Sequence, residues 1–145
     1  NIQEAMTAED KLFMGFDQKK DPSVILEAYN DKEGITAAFN KNILARINTE
    51  LEADFDLNQF THWEVYNPES GTAKSYLVSK IEQKIVIPKL ELEVYFKPWE
   101  TIHTEISQKY DDGTINWLAQ KSNLTIEAHF TDTKKQFKNY VLRKK

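Results

Sequence analysis

Cysteine is absent from the 145 residues, which removes disulfides, thiolate zinc sites and cysteine nucleophiles together. The same absence fits a reducing, cytoplasmic setting. No apolar run approaches the roughly 20 residues that a membrane span requires. No signal-peptide pattern opens the chain either. Glycine is scarce: four residues, Gly15, Gly34, Gly71 and Gly113, are spread too widely to form a loop that lets backbone approach a phosphate or nucleotide. The three histidines, His62, His103 and His129, have no metal-type spacing, and each falls in an extended stretch where a structural role is expected. No serine sits in an elbow motif with a nearby base. Positive charge is also in short supply, with 19 Lys and Arg against 23 Asp and Glu and a net charge of −4. A nucleic-acid binder would need a basic stripe to meet phosphates.

What the chain does contain is enough apolar material for a packed core, 40% hydrophobic and 12% aromatic residues. Its lysines gather at the end (Lys134, Lys135, Lys138, Lys144 and Lys145, with Arg143) and alternate with Phe137, Tyr140, Val141 and Leu142. That alternation predicts a solvated strand edge. The first residue is Asn1, and Ile2 to Lys11 read as the interior of a longer protein.

Leu12 to Asp17 is a short apolar run of the kind expected in a strand buried on both faces, as in a parallel sheet. Asp21-Pro22 then supplies a helix start, a capping side chain followed by proline in the first turn. Ile35, Phe39, Ile43, Leu44, Ile47 and Leu51 recur at helical spacing and predict a longer helix over Ile35 to Leu51, packed through that stripe. After Asp54 the pattern changes. Phe60 to Tyr66, Ala73 to Ser79, Lys84 to Ile87 and Leu90 to Phe96 read as strands, separated by Asn67-Pro68, Gly71 and Pro88-Lys89. Thr101 to Tyr110 is a further extended stretch, Gly113 to Ser122 a helix with Asp112 available as its cap, and Thr125 to Thr131 and Phe137 to Leu142 the final strands. A strand with two buried faces beside strands with one wet face points to an α+β chain holding two structural units.

Two segments carry more than periodicity. Glu27 to Asn42 (EAYNDKEGITAAFNKN) and Trp99 to Tyr110 (WETIHTEISQKY) together resemble the histidine-specific, S-adenosylmethionine-dependent methyltransferases. The likeness extends to Leu12–Pro22, Ile47–Leu51, Ala53–Asp56 and Tyr66–Pro68. The best-known member of that family trimethylates the α-amino group of L-histidine to hercynine for ergothioneine synthesis.

The resemblance implies the C-terminal fragment of a class I, Rossmann-like methyltransferase with an inserted antiparallel β-rich unit that binds substrate. On that template residues 1–53 hold the end of the methyltransferase sheet with its helices, 54–110 the inserted unit, and 111–145 a final helix and two sheet strands. The strand at Leu12–Phe16 should pair with one of the last two strands, and Phe60 to Phe96 should form a separate antiparallel sheet. The loop and acidic residue that grip the cofactor would precede Asn1, so the chain alone is expected to be inactive and to have no cofactor-binding residue. It is expected to self-associate through its open sheet edge, with no nucleic-acid or membrane partner.

By the same resemblance Tyr29 corresponds to a tyrosine that helps hold the substrate carboxylate, and Glu105 and Ser107 to a Glu-x-Ser pair that holds the imidazole. The chemistry suits them, because a carboxylate accepts a ring N–H while a hydroxyl serves the other nitrogen. Residues two apart on a strand share a face. No residue here need act as an acid, a base or a metal ligand. The resemblance departs at Ser75, near where that member has a methionine over the substrate. The competing expectations are a non-enzymatic α+β module for a small polar ligand, and a family member that methylates another amino acid or a peptide.

Overall fold

The computed structural model describes residues 2–145 as an α+β chain of two compact units. The first unit comprises residues 2–21, 68–71 and 108–145; the second comprises 22–67 and 72–107. No helix among the described residues is long and apolar enough to cross a membrane.

The first unit contains α1 (Ile2–Ala5), β1 (Lys11–Asp17), α4 (Asp112–Lys121), β7 (Leu124–Thr131) and β8 (Phe137–Lys144). Its sheet has the order β1-β8-β7, and β8 runs antiparallel to both neighbours. The expected pairing of the Leu12 strand with the last strand is present, Leu12 lying opposite Leu142 and Met14 opposite Tyr140. Two expectations change. First, β1 is not buried on both faces: Leu12, Met14 and Phe16 are half-buried, but Phe13 on the other face is 62% exposed. An apolar run records what a strand can bury, not which faces have cover. Second, the lysine-rich β8 is the central strand, not an edge. Its alternation places Tyr140 and Leu142 in the core with Ile115, Ala119 and Leu124. Lys138 bonds Asp112, and Lys144 reaches the Met6 carbonyl.

Helix α4 is capped by Asp111, whose carboxylate accepts from the Thr114 amide, and not by Asp112. Asp112 is committed elsewhere, accepting from Lys138 Nζ and from the Tyr140 hydroxyl. The loop ahead of β3 is held from below: Gly71 takes φ +74 with the Lys109 carbonyl where a Cβ would stand, and its own carbonyl accepts from the Lys109 amide at 2.7 Å.

The second unit contains α2 (Pro22–Tyr29), α3 (Ile35–Leu51), β2 (Phe60–Asn67), β3 (Thr72–Ser79), β4 (Gln83–Ile87), β5 (Leu92–Phe96) and most of β6 (Thr101–Gln108). The β block forms two sheets, β2-β3-β6 and a β4-β5 hairpin, where one was expected. The helices also part from the expected division at residue 53. Leu44 of α3 is 1% exposed and packs with Phe55, Phe60, Leu77, Ile85, Ile87 and Phe96, so α3 belongs to the core of the β-rich unit. Asn48 seals its C-terminal end, its side chain exchanging hydrogen bonds with both the amide and the carbonyl of Phe55.

The boundaries of α3 match the periodicity, but its buried stripe matches only at Leu44, Ile47 and Leu51. Ile35, Phe39 and Ile43 are 70%, 73% and 43% exposed. Burial instead follows Asn40, Leu44, Ile47 and Leu51, a stripe at i, i+4, i+7 and i+11.

Candidate functional site

Tyr29 is the last residue of α2, and Ser107 lies on β6. Although 78 positions apart, they meet: the Tyr29 hydroxyl donates to Ser107 Oγ at 2.6 Å. The segment after Tyr29 is fixed by the start of α3. That helix begins at Gly34 with a left-handed backbone and no side-chain cap of its own, so its first amides need acceptors. Asp31 supplies them, taking the Ile35 amide at 2.7 Å and the Thr36 amide at 2.8 Å. Hydrogen bonds from Thr36 and Ile35 hold the Asp31 carboxyl down at about 2.

The backbone of Tyr29 is fixed separately. Its carbonyl accepts from His62 Nε2 at 2.9 Å, and His62 Nδ1 accepts from Asn40 Nδ2 at the same distance. The Asn40 amide also donates to the Tyr76 carbonyl at 3.2 Å. Asn40 and His62 are both buried.

Glu105 is exposed on β6. It lines a shallow hollow against α3 together with Phe39, Asn40, Ile43, Arg46 and Thr104. Among the described residues no hydrogen bond joins its carboxylate to Tyr29 or Ser107, while Arg46 in the same hollow pairs with Glu50. The structure therefore brings Tyr29 and Ser107 into direct contact and places Glu105 in the hollow that Asn40 of the buried network also lines. Ser75 is 3% exposed and donates to Glu64 Oε2, its partner across the β2–β3 ladder.

As chemistry, the arrangement offers two hydroxyls for a carboxylate or a ring nitrogen and one wet carboxylate for an N–H donor. Sequence reasoning missed Asn40 and His62. The signals were present. Asn40 stands four residues before the buried Leu44, and His62 alternates with Phe60 and Glu64 on the covered face of β2.

Comparison with known proteins gives concordant results. Residues 1–144 match the family model described as histidine-specific methyltransferase, SAM-dependent. The chain is similar to the histidine N-alpha-methyltransferase of Mycolicibacterium smegmatis, with 41% identity over 101 residues, 70% of this chain and 32% of that protein. The protein of the same name from Mycobacterium tuberculosis is 39% identical over 105 residues, 72% of this chain and 33% of that protein. Ergothioneine biosynthesis protein 1 of Schizosaccharomyces pombe is 29% identical over 140 residues, 96% of this chain and 18% of that protein. The chain thus spans about a third of the length of the two mycobacterial relatives.

Proposed function

Because this chain belongs to the histidine-specific, S-adenosylmethionine-dependent methyltransferase family, we propose that it is the substrate-binding C-terminal portion of a cytoplasmic enzyme that methylates the α-amino group of L-histidine, in an ergothioneine-type pathway. The observation that carries this reading is the 2.6 Å contact between Tyr29 and Ser107. Two residues expected from the family resemblance to hold opposite ends of the substrate are adjacent in space. Tyr29 donates to the substrate carboxylate, Ser107 serves one imidazole nitrogen, and Glu105 accepts the N–H of the other. All three orient; none removes a proton. Holding the amine in line with the transferable methyl group supplies most of what such a reaction needs. A site that hydrogen-bonds a polar ring also rejects analogues without those groups, by about four orders of magnitude where all bonds are lost.

The surroundings of the four glycines support placing the methyl donor elsewhere in such an enzyme. Gly15 lies in β1 under the Phe137 ring, Gly34 opens onto solvent, Gly71 is filled by the Lys109 carbonyl, and Gly113 lies in α4. None provides a cradle for a nucleoside. S-Adenosylmethionine is held by other parts of such an enzyme, and the chain alone is expected to be catalytically silent. The β1 strand, at one edge of its sheet, offers unpaired backbone groups through which the isolated chain would associate. Light scattering tests this, and a clean monomer would refute it.

The functional reading is tested on the full-length protein with S-adenosylmethionine and each of the common amino acids, read by mass spectrometry. Methylated histidine as the dominant product is expected. Methyl transfer to another amino acid in preference to histidine, or to none, would overturn the substrate assignment.

A further inference from the structure

We infer that His62 is a positioning residue for Tyr29, locked by Asn40 into the one tautomer that can hold the end of α2. The inference rests on the reading of Tyr29 as a substrate ligand.

A helix leaves its last carbonyls without intrahelical donors. At Tyr29 that need is met by a side chain on another element, His62 Nε2 on β2, at 2.9 Å. The ring's sense follows from its other end. The Tyr76 carbonyl can only accept, so the Asn40 amide must present nitrogen to it, at 3.2 Å. The same nitrogen faces His62 Nδ1 at 2.9 Å. A donor amide requires Nδ1 to be the bare, accepting nitrogen, which leaves the ring hydrogen on Nε2. Nε2 then points that hydrogen at the Tyr29 carbonyl. Backbone carbonyls stand at both ends, so the series Asn40 to His62 to Tyr29 runs in one direction only. Both side chains are buried, 8% and 9% exposed, so water competes little for either bond.

Both ring nitrogens are thereby engaged, and His62 is neither a metal ligand nor a base toward substrate. Its effect is geometric. In the order β2-β3-β6, roughly 10 Å separates the outer strands, and Tyr29 bridges them, its carbonyl tied to β2 and its hydroxyl to Ser107 on β6. Without the Nε2 donor the Tyr29 carbonyl loses its tie to β2 and the phenol is aimed less tightly. A displacement of about 1 Å in a positioning group is enough to cost up to two orders of magnitude.

The test uses the full-length enzyme with His62→Asn and His62→Gln. Glutamine places an amide N–H near the position of Nε2 and keeps the donor to Tyr29; asparagine reaches only the position of Nδ1 and loses it. The expected result is a KM for histidine raised on the order of tenfold in His62→Asn, an unchanged KM for S-adenosylmethionine, and near wild-type values in His62→Gln. Equal values for the two variants, or a parallel rise in both Michaelis constants, would overturn the inference. A long-range proton–nitrogen spectrum of the wild-type protein without substrate gives a readout independent of folding in the variants. His62 should show a protonated Nε2 and a bare Nδ1; the opposite tautomer refutes the lock. A wild-type enzyme that transfers no methyl group to histidine would sink the functional reading, and the spectrum would still decide the network.

Discussion

Asp17→Ala takes the carboxylate away from Lys109, whose side chain is only 2% exposed and whose ammonium lies 2.8 Å from Asp17 Oδ2. Burial alone would raise the Asp17 pKa, but hydrogen bonds and charge from Lys109 and Lys20 outweigh it and hold the carboxyl below its ordinary value. Breaking a buried ion pair by deleting one partner costs about 3–5 kcal/mol, because the buried ammonium loses that counter-charge. The Asp17 side chain keeps 33% exposure, so water reaches that end of the pair and the low end, about 3 kcal/mol, applies. Lys109→Met differs in kind. It retains the stem's volume, leaves no charge in the interior, and leaves Asp17 its second partner Lys20. Its cost should be about 1 kcal/mol. The two variants should therefore differ by about 2 kcal/mol, roughly thirtyfold in the folded-to-unfolded ratio. Denaturant unfolding followed by circular dichroism, with the slope compared across variants, measures this. A Lys109→Met variant as destabilised as Asp17→Ala would show that the ammonium stabilises the fold and is not merely compensated within it.

Gly71→Ala should destabilise by about 2–3 kcal/mol, combining a left-handed backbone with overpacking, since the new Cβ would sit 2.5 Å from the Lys109 carbonyl oxygen; a thermal melt within a degree of wild type would contradict this. Acid should weaken the fold over a defined window. Asp111, through the Thr114 amide and Lys19, and Asp31, through Thr36 and Ile35, are both held down at about 2 in the folded chain. Their contributions are present above the unfolded value near 4 and are lost as pH falls from there toward 2. Denaturant midpoints should therefore drop across that interval in the wild type and drop less in Asp31→Asn and Asp111→Asn. Profiles of equal slope would remove these groups from the acid response.

Several features were legible in the sequence because they are local. The limits of α3 coincide with its apolar periodicity, and the strand segments between Phe60 and Phe96 follow from turn residues and alternation. Tyr29 and Ser107 were singled out only through the family resemblance, and their direct contact was not foreseen, since no periodicity links positions 78 apart. What stayed hidden depends on neighbours. The Leu12 run does not record that β8 lies antiparallel beside it or that Phe13 has no cover. The helix stripe did not reveal that Asn40 occupies a buried position while Phe39 faces out, because adjacent stripes on one helix differ by a rotation that only packing selects. The lysines of β8 concealed a central strand, since Asp112 and the Met6 carbonyl absorb the Lys138 and Lys144 charges.

The central claim, that Tyr29, Glu105 and Ser107 hold histidine, is tested most directly by Glu105→Ala in the full-length enzyme. Glu105 is exposed and belongs to neither buried core cluster, so its loss should leave the melting temperature in place. Removing a charged hydrogen-bond partner of the imidazole is worth about 1.5–3 kcal/mol, so the KM for histidine should rise roughly ten- to hundredfold. Calorimetric titration with histidine should weaken by the same factor. An unchanged Michaelis constant and an unchanged titration would remove Glu105 from the site and contradict the account.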